Sequence, residues 1–205
     1  MSKELPHGNS SRKIVETIFK SSWFKPQMKN VKVERVVKIN HREDILCRFE
    51  EYREMTKRKA GKECSRCMAD GNEMLRFHGF SIMCSLNVIN GVVELCSLKG
   101  CNVCKILRTL FYYKRRTSLS VLYTTASSRL AHDCIHIHSH DDAGSTIAVK
   151  RRVMLVCRVI AGHLHNQESC WMQVGIYSHC MTEEAYYSNV RAFLPRFLIV
   201  YSLRE

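Results

Sequence analysis

Apolar residues recur at helical spacing in two early segments and alternate, or run uninterrupted, in several later ones. This pattern predicts helices first and strands after them. Residues 1–10 carry no such period and read as a flexible N-terminal arm. Ser10 or Ser11 can cap a helix from about Arg12 to Phe24, with Ile14, Val15, Ile18 and Phe19 at helical spacing; Pro26 closes it. Val31–Ile39 reads as a strand, because Val33, Val37 and Ile39 alternate with Glu34 and Lys38. Asn40 begins a second helix, and Glu43 is placed to return a capping bond. Ile45, Leu46, Phe49, Tyr52 and Met55 form its apolar stripe; Glu50, Arg53, Glu54, Lys57 and Arg58 lie largely outside it. Gly61 and the Cys64–Cys67 segment end that helix.

Further along, strand character returns in Leu75–Gly79. A cysteine-rich insertion at about 84–104 leads into a helix over Lys105–Tyr113. Leu119–Thr125 reads as a short strand, and a Ser/His-rich stretch from Ser127 to Gly144 opens with a short helix. Val153–Ala161 is apolar enough to be a buried strand, ended by Gly162. Tyr186–Tyr187 and Phe197–Tyr201 are the last strands, with Pro195 tolerated where a strand begins. The sum is an α+β chain without internal repeats, organised as one domain over 11–205.

Composition narrows the setting. The chain has 205 residues, 45% apolar and 25% charged, which is globular rather than disordered. Its net charge of +13 favours an acidic partner, with nucleic acid among the candidates. The basic residues cluster at Lys57-Arg58-Lys59, Lys114-Arg115-Arg116 and Lys150-Arg151-Arg152, each of which can be a solvated helix end or loop, or a nucleic-acid patch. Eleven cysteines without a secretory signal imply a reducing compartment, hence thiols or metal sites rather than disulfides. No apolar run reaches membrane-spanning length, so an intracellular protein of nucleus or cytoplasm is expected, with no membrane partner.

Two sets of residues carry candidate chemistry. The first is His78-Gly79 at the end of an apolar strand. Glycine has no Cβ, so a planar ligand can reach its main-chain N–H and C=O, and the neighbouring imidazole can bond another part of that ligand. The second set is the cysteines. Cys84, Cys96, Cys101 and Cys104 can supply four thiolates to one tetrahedral zinc. A rival set pairs Cys64 and Cys67 with Cys101 and Cys104. Cys47 and Cys157 read as small apolar core residues. The run His136, His138, His140, Asp141, Asp142 reads as a polar loop before it reads as a metal site.

Several segments together resemble the poly(ADP-ribose) polymerase-type ADP-ribosyltransferase catalytic domain. They are Glu34–Asn40 followed by the helix with Phe49 and Tyr52, the strand ending in His78-Gly79, Tyr123 within Ser120–Thr124, and Glu184 thirteen residues before Phe197. Arg48–Met55, Ala69–Glu73, Cys101-x-x-Cys104 and Arg191–Pro195 resemble, within that family, a plant group of zinc-finger-like proteins with two-Cys two-His fingers. The finger has no counterpart here, so the chain looks like the catalytic-type domain alone.

The resemblance implies a split antiparallel sheet with N-terminal helices, and NAD as the donor substrate. It also implies ADP-ribosyl transfer, mono rather than poly, to a protein or nucleic-acid acceptor. Gly79 would bond the nicotinamide amide, His78 the ribose, and Tyr123 would stack on the nicotinamide. Glu184 would align ribose and acceptor, placing a carboxylate beside the developing cation. Ser127 or Ser128 would add a bond to the amide, and His132 would pack where the family has a second aromatic. Phe80 stands where the family has a small hydroxyl residue, and Val121 and Leu122 occupy an approach where it has a glycine. These departures leave a second expectation open: an inactive domain of the same fold, acting as a zinc-containing module that binds nucleic acid or protein.

Overall fold

The computed structural model describes residues 2–23, 31–60, 62, 64–98, 101–109, 122–135, 152–162, 184–187 and 189–203. Within them lie nine strands and five α-helices. The strands are β1 (Lys3–Glu4), β2 (Val31–Lys38), β3 (Glu73–Ser81), β4 (Val88–Ile89), β5 (Val92–Val93), β6 (Leu122–Thr125), β7 (Arg152–Ile160), β8 (Glu184–Tyr187) and β9 (Phe193–Leu203). The helices are α1 (Ser10–Lys20), α2 (Glu43–Lys59), α3 (Ser65–Asp70), α4 (Asn102–Thr109) and α5 (Ser128–Asp133). All described strand pairs are antiparallel, in the order β4-β5-β1-β2-β9-β7-β3-β6-β8. The chain is therefore an α+β domain built on an antiparallel sheet.

The centre of the sheet is β2-β9-β7-β3. Alternation along β7 sends Val153, Leu155, Cys157 and Val159 into one core, and Met154 and Val156 into another. The first core is covered by α4 and the cysteine-rich insertion, through Val103, Leu107, Leu86 and Val93. The second is covered by Val15 and Phe19 of α1, by Trp23 and by Ala131 of α5. Farther along, Phe49 and Tyr52 of α2 close over Ile160, Ala192 and Leu194. β3 and β6 are joined by one pair, Phe77 opposite Thr125, as β1 and β5 are by Lys3 opposite Val92.

Several expectations change. Of the expected loose arm, the described residues 2–10 are tied down: β1 pairs with β2 and β5, and Leu5 is buried. Arg12 is also buried, and it ties this segment down by donating to the carbonyls of Leu5 at 2.9 Å and Glu34 at 3.2 Å while pairing with Glu16. α1 is capped by Asn9, not by a serine, and ends at Lys20. α2 starts at Glu43 without a side-chain cap, so the Asn40–Glu43 capping box does not form. Cys47 is exposed because it lies off the apolar stripe of α2, whereas Cys157 is a core thiol as expected. Pro195 lies inside β9, at the irregularity where Val156 faces Phe197 and Cys157 faces Pro195; the break in the ladder accommodates its missing N–H. The insertion holds a β4–β5 hairpin whose Asn90-Gly91 turn has φ of 51° and 76° at its two residues, the left-handed pair an Asn-Gly turn favours.

Candidate functional site

β3 is positioned by its full pairing with β7, from Glu73 opposite Ile160 to Ser81 opposite Arg152. The turn before it is fixed by Gly71 and Asn72, both at positive φ. Gly71 accepts from the Gly162 N–H at 2.9 Å, Asn72 accepts from the Ala161 N–H at 3.1 Å, and the Asn72 amide donates to the Gly162 carbonyl at 3.0 Å. Next in line, Glu73 accepts from Arg158 and Arg53. Arg158 holds the Glu73 carboxyl below its usual range, and Glu73 in turn raises Arg158. The pair clamps the start of the strand that delivers His78 and Gly79.

Phe77, His78 and Gly79 of β3, Tyr123 of β6, and Ala131 and Cys134 at α5 line one cleft along the seam between β3 and β6. The fold thus brings His78, Gly79 and Tyr123 together. Pleat alternation puts Phe77 and Gly79 on the α5 side, and His78 and Phe80 on the α4 side. Phe80 meets the His78 ring edge-on at 4.1 Å between centroids. Glu184 opens β8, in register with Thr125, on the strand beside that of Tyr123. Its side chain lies outside the described part.

The cleft is tightly closed by α5. A Cβ built on Gly79 would lie 2.5 Å from the Ala131 carbonyl oxygen and 2.7 Å from Ile135 Cγ1. Glycine is required here by the close approach of α5 to β3. The Tyr123 hydroxyl lies 3.0 Å from the Cys134 sulfur, so the ring is tied to the wall of the cleft.

The other expected ligand contacts on α5 serve the fold. Ser127 caps the helix, accepting from the Leu130 N–H at 3.3 Å. Ser128 is buried; it accepts from Trp23 Nε1 at 2.8 Å and donates to the Phe19 carbonyl. His132 does not reach the cleft. It meets Trp23 edge-on at 5.1 Å between centroids and lies 2.8 Å from the Tyr201 hydroxyl, with Arg152 alongside. Burial pushes the Tyr201 phenol well up. The residues that α5 does present to the cleft, Ala131 and Cys134, are three apart on one side of the helix.

A second candidate lies on the opposite face. Cys84, Cys96, Cys101 and Cys104 bring their sulfurs within 4.8 Å of one another, an arrangement that can hold a metal ion. The Cys84 sulfur is 3.5 Å from that of Cys104 and 3.7 Å from that of Cys101. Arg35 donates to the carbonyls of Ser85 and Leu86, and Arg108 to the Cys96 carbonyl at 2.8 Å, so the loops bearing the thiols are held from both sides. Burial pushes the Cys84 and Cys104 thiols up; against desolvation, hydrogen bonds with the Leu98 backbone and the neighbouring thiols draw Cys96 down. Four thiols this close cannot all ionise unless a cation offsets their charge. The rival set is not assembled: Cys64 and Cys67 are joined to each other in a disulfide, contrary to the expectation of thiols throughout.

His136, His138, His140, Asp141, Asp142, Lys114-Arg115-Arg116 and Val121 lie outside the described residues. Among the described residues, no helix is long and apolar enough to cross a membrane. No family model matches this chain, and no curated protein matches it.

Proposed function

We propose that this domain is a non-catalytic binding module of ADP-ribosyltransferase type, held by a four-thiolate zinc ion, that engages an acidic partner of the nucleic-acid class. The seating of α5 on Gly79 carries this reading. A nicotinamide amide would need the Gly79 backbone, a hydroxyl and a second aromatic. The space on the Cβ side of Gly79, through which a planar amide would approach, is taken by Ala131 and Ile135, and the cleft-facing positions at α5 are Ala131 and Cys134, which supply neither of the others.

Zinc fits the thiol cluster. Zn–S bonds of about 2.3 Å in a tetrahedron set S···S edges of roughly 3.8 Å, close to the 3.5 and 3.7 Å separations at Cys84. Four thiolates leave no open position, so the ion would tie the β4–β5 hairpin and α4 to the sheet rather than act on a substrate. The net charge of +13 supports an acidic partner. So does the pairing of Lys3 directly opposite Lys38, a like-charge neighbourhood that an anion relieves. Exposed Arg58 and Lys59 add charge at the end of α2.

The test is fluorescence anisotropy with a labelled oligonucleotide across a salt series. Binding at low salt with log K falling linearly in log salt is expected; absence of binding at low salt would overturn the partner. A second reading, NAD-dependent transfer, is favoured by the meeting of His78, Gly79 and Tyr123 in one cleft beside the strand of Glu184. It requires α5 to leave Gly79. NAD-dependent labelling abolished in both His78→Ala and Glu184→Ala would establish it in place of the first.

A further inference from the structure

The Cys64–Cys67 disulfide stands apart from the thiol cluster, and its surroundings suit exchange better than stapling. The bond spans a sequence separation of 3, so it closes a very short loop and removes little chain entropy from the unfolded state. The two sulfurs are also unequal. Cys67 is fully buried, whereas Cys64 is half-buried at the start of α3, where it accepts from the Cys67 N–H at 3.3 Å. Exposed Lys62 and Arg66 lie two residues either side of Cys64 in sequence, with Glu63 next to it. The backbone around the pair is held independently of the S–S bond: Gly71 N–H donates to the Cys67 carbonyl at 3.0 Å, Asn72 N–H to that of Arg66 at 3.3 Å, and the Arg66 guanidinium to that of Glu73 at 3.0 Å. Opening the bond therefore leaves the local fold in place.

We propose that Cys64 and Cys67 form a reversible dithiol–disulfide site, with Cys64 as the exchanging sulfur and Cys67 as the resolving one, and a small thiol–disulfide couple as co-substrate. In the oxidising direction the Cys64 thiolate attacks one sulfur of the small disulfide. One S–S bond forms, the old one breaks, and one small thiolate leaves with the electron pair. The Cys67 thiolate then attacks the Cys64 sulfur and expels the second small thiolate. The protein loses two electrons and two protons, and the small disulfide gains them as two thiols. Reduction runs the same steps backwards.

The intact protein is equilibrated with reduced and oxidised glutathione at graded ratios, quenched with acid, alkylated and read by peptide mapping. Cys64 and Cys67 are expected to pass together from disulfide to dithiol while circular dichroism stays native. In Cys67→Ser, oxidised glutathione is expected to leave a mixed disulfide on Cys64; in Cys64→Ser the adduct on Cys67 is expected to be roughly tenfold rarer, following exposure. A pair that stays closed until the protein unfolds, a pair that never closes at any ratio, or equal adducts in the two variants would each overturn the proposal. Mapping by peptide separates this pair from the four clustered thiols, so the result does not depend on the zinc or nucleic-acid reading.

Discussion

Replacing Gly79 by alanine places a methyl carbon 2.5 Å from the Ala131 carbonyl oxygen and 2.7 Å from Ile135 Cγ1. Ordinary van der Waals contact begins near 3.4 Å, so α5 would have to retreat from β3 by about 1 Å. The first obstacle is backbone, which cannot rotate away, and the second is a side chain buried in the same wall. Overpacking of this kind costs about 1–3 kcal/mol. For a chain of this size that corresponds to a fall in Tm of roughly 2–12 °C. Urea unfolding of Gly79→Ala, with Ile135→Ala and the double variant, measures it. Ile135→Ala removes one of the two obstacles, so the double variant is expected to lose less than the sum of the singles, with a coupling of about 0.5–1.5 kcal/mol. If glycine were present only to admit a ligand, alanine would be neutral, or stabilising by about 0.4–1 kcal/mol through the unfolded state. An alanine variant at least as stable as the parent would refute the packing argument.

Purified protein is expected to carry one zinc per chain, and Cys101→Ser to lose both the metal and stability; metal-free native protein by elemental analysis would count against the site. Arg158, and then Arg53, hold the Glu73 carboxyl below its ordinary value of 4.5. The folded form thus binds the proton less tightly than the unfolded one, so the clamp's contribution is full above that ordinary value and fades as pH falls through the lower folded one. Glu73→Gln is expected to lose roughly 1–3 kcal/mol at pH 7 and to show a flatter stability profile below pH 5; a profile parallel to the parent would contradict the assignment. Ser128→Ala is expected to cost roughly 1–3 kcal/mol by orphaning the Trp23 indole N–H, read as a lower urea midpoint; an unchanged midpoint would return Ser128 to the list of ligand contacts.

Much of this was legible in the sequence for physical reasons. The stripe of α2 and the apolar run of β7 are long enough for periodicity to fix their type and their buried faces. The four clustered cysteines were readable from spacing, because a knuckle and a nearby helix turn bring thiols together over short distances. β1 was not legible: a two-residue Lys-Glu strand has no pattern of its own and exists only because β2 and β5 flank it. The Asn90-Gly91 hairpin has its signal in the Asn-Gly pair itself, set among cysteines whose spacing points to a metal instead. On α5 the residue types suggested ligand contacts at Ser128 and His132, four apart and both buried toward Trp23. Helical geometry turns Ala131 and Cys134 to the cleft instead. Nothing local to Gly79 says whether a ligand or a helix fills the space beside it, since α5 arrives there from about fifty residues away in sequence.

On the proposed reading, the seam between β3 and β6 is filled by α5 and takes no nicotinamide. Isothermal titration of the folded, metal-loaded protein with NAD tests it most directly. No binding heat is expected up to millimolar NAD. Stoichiometric binding that disappears in His78→Ala would contradict it.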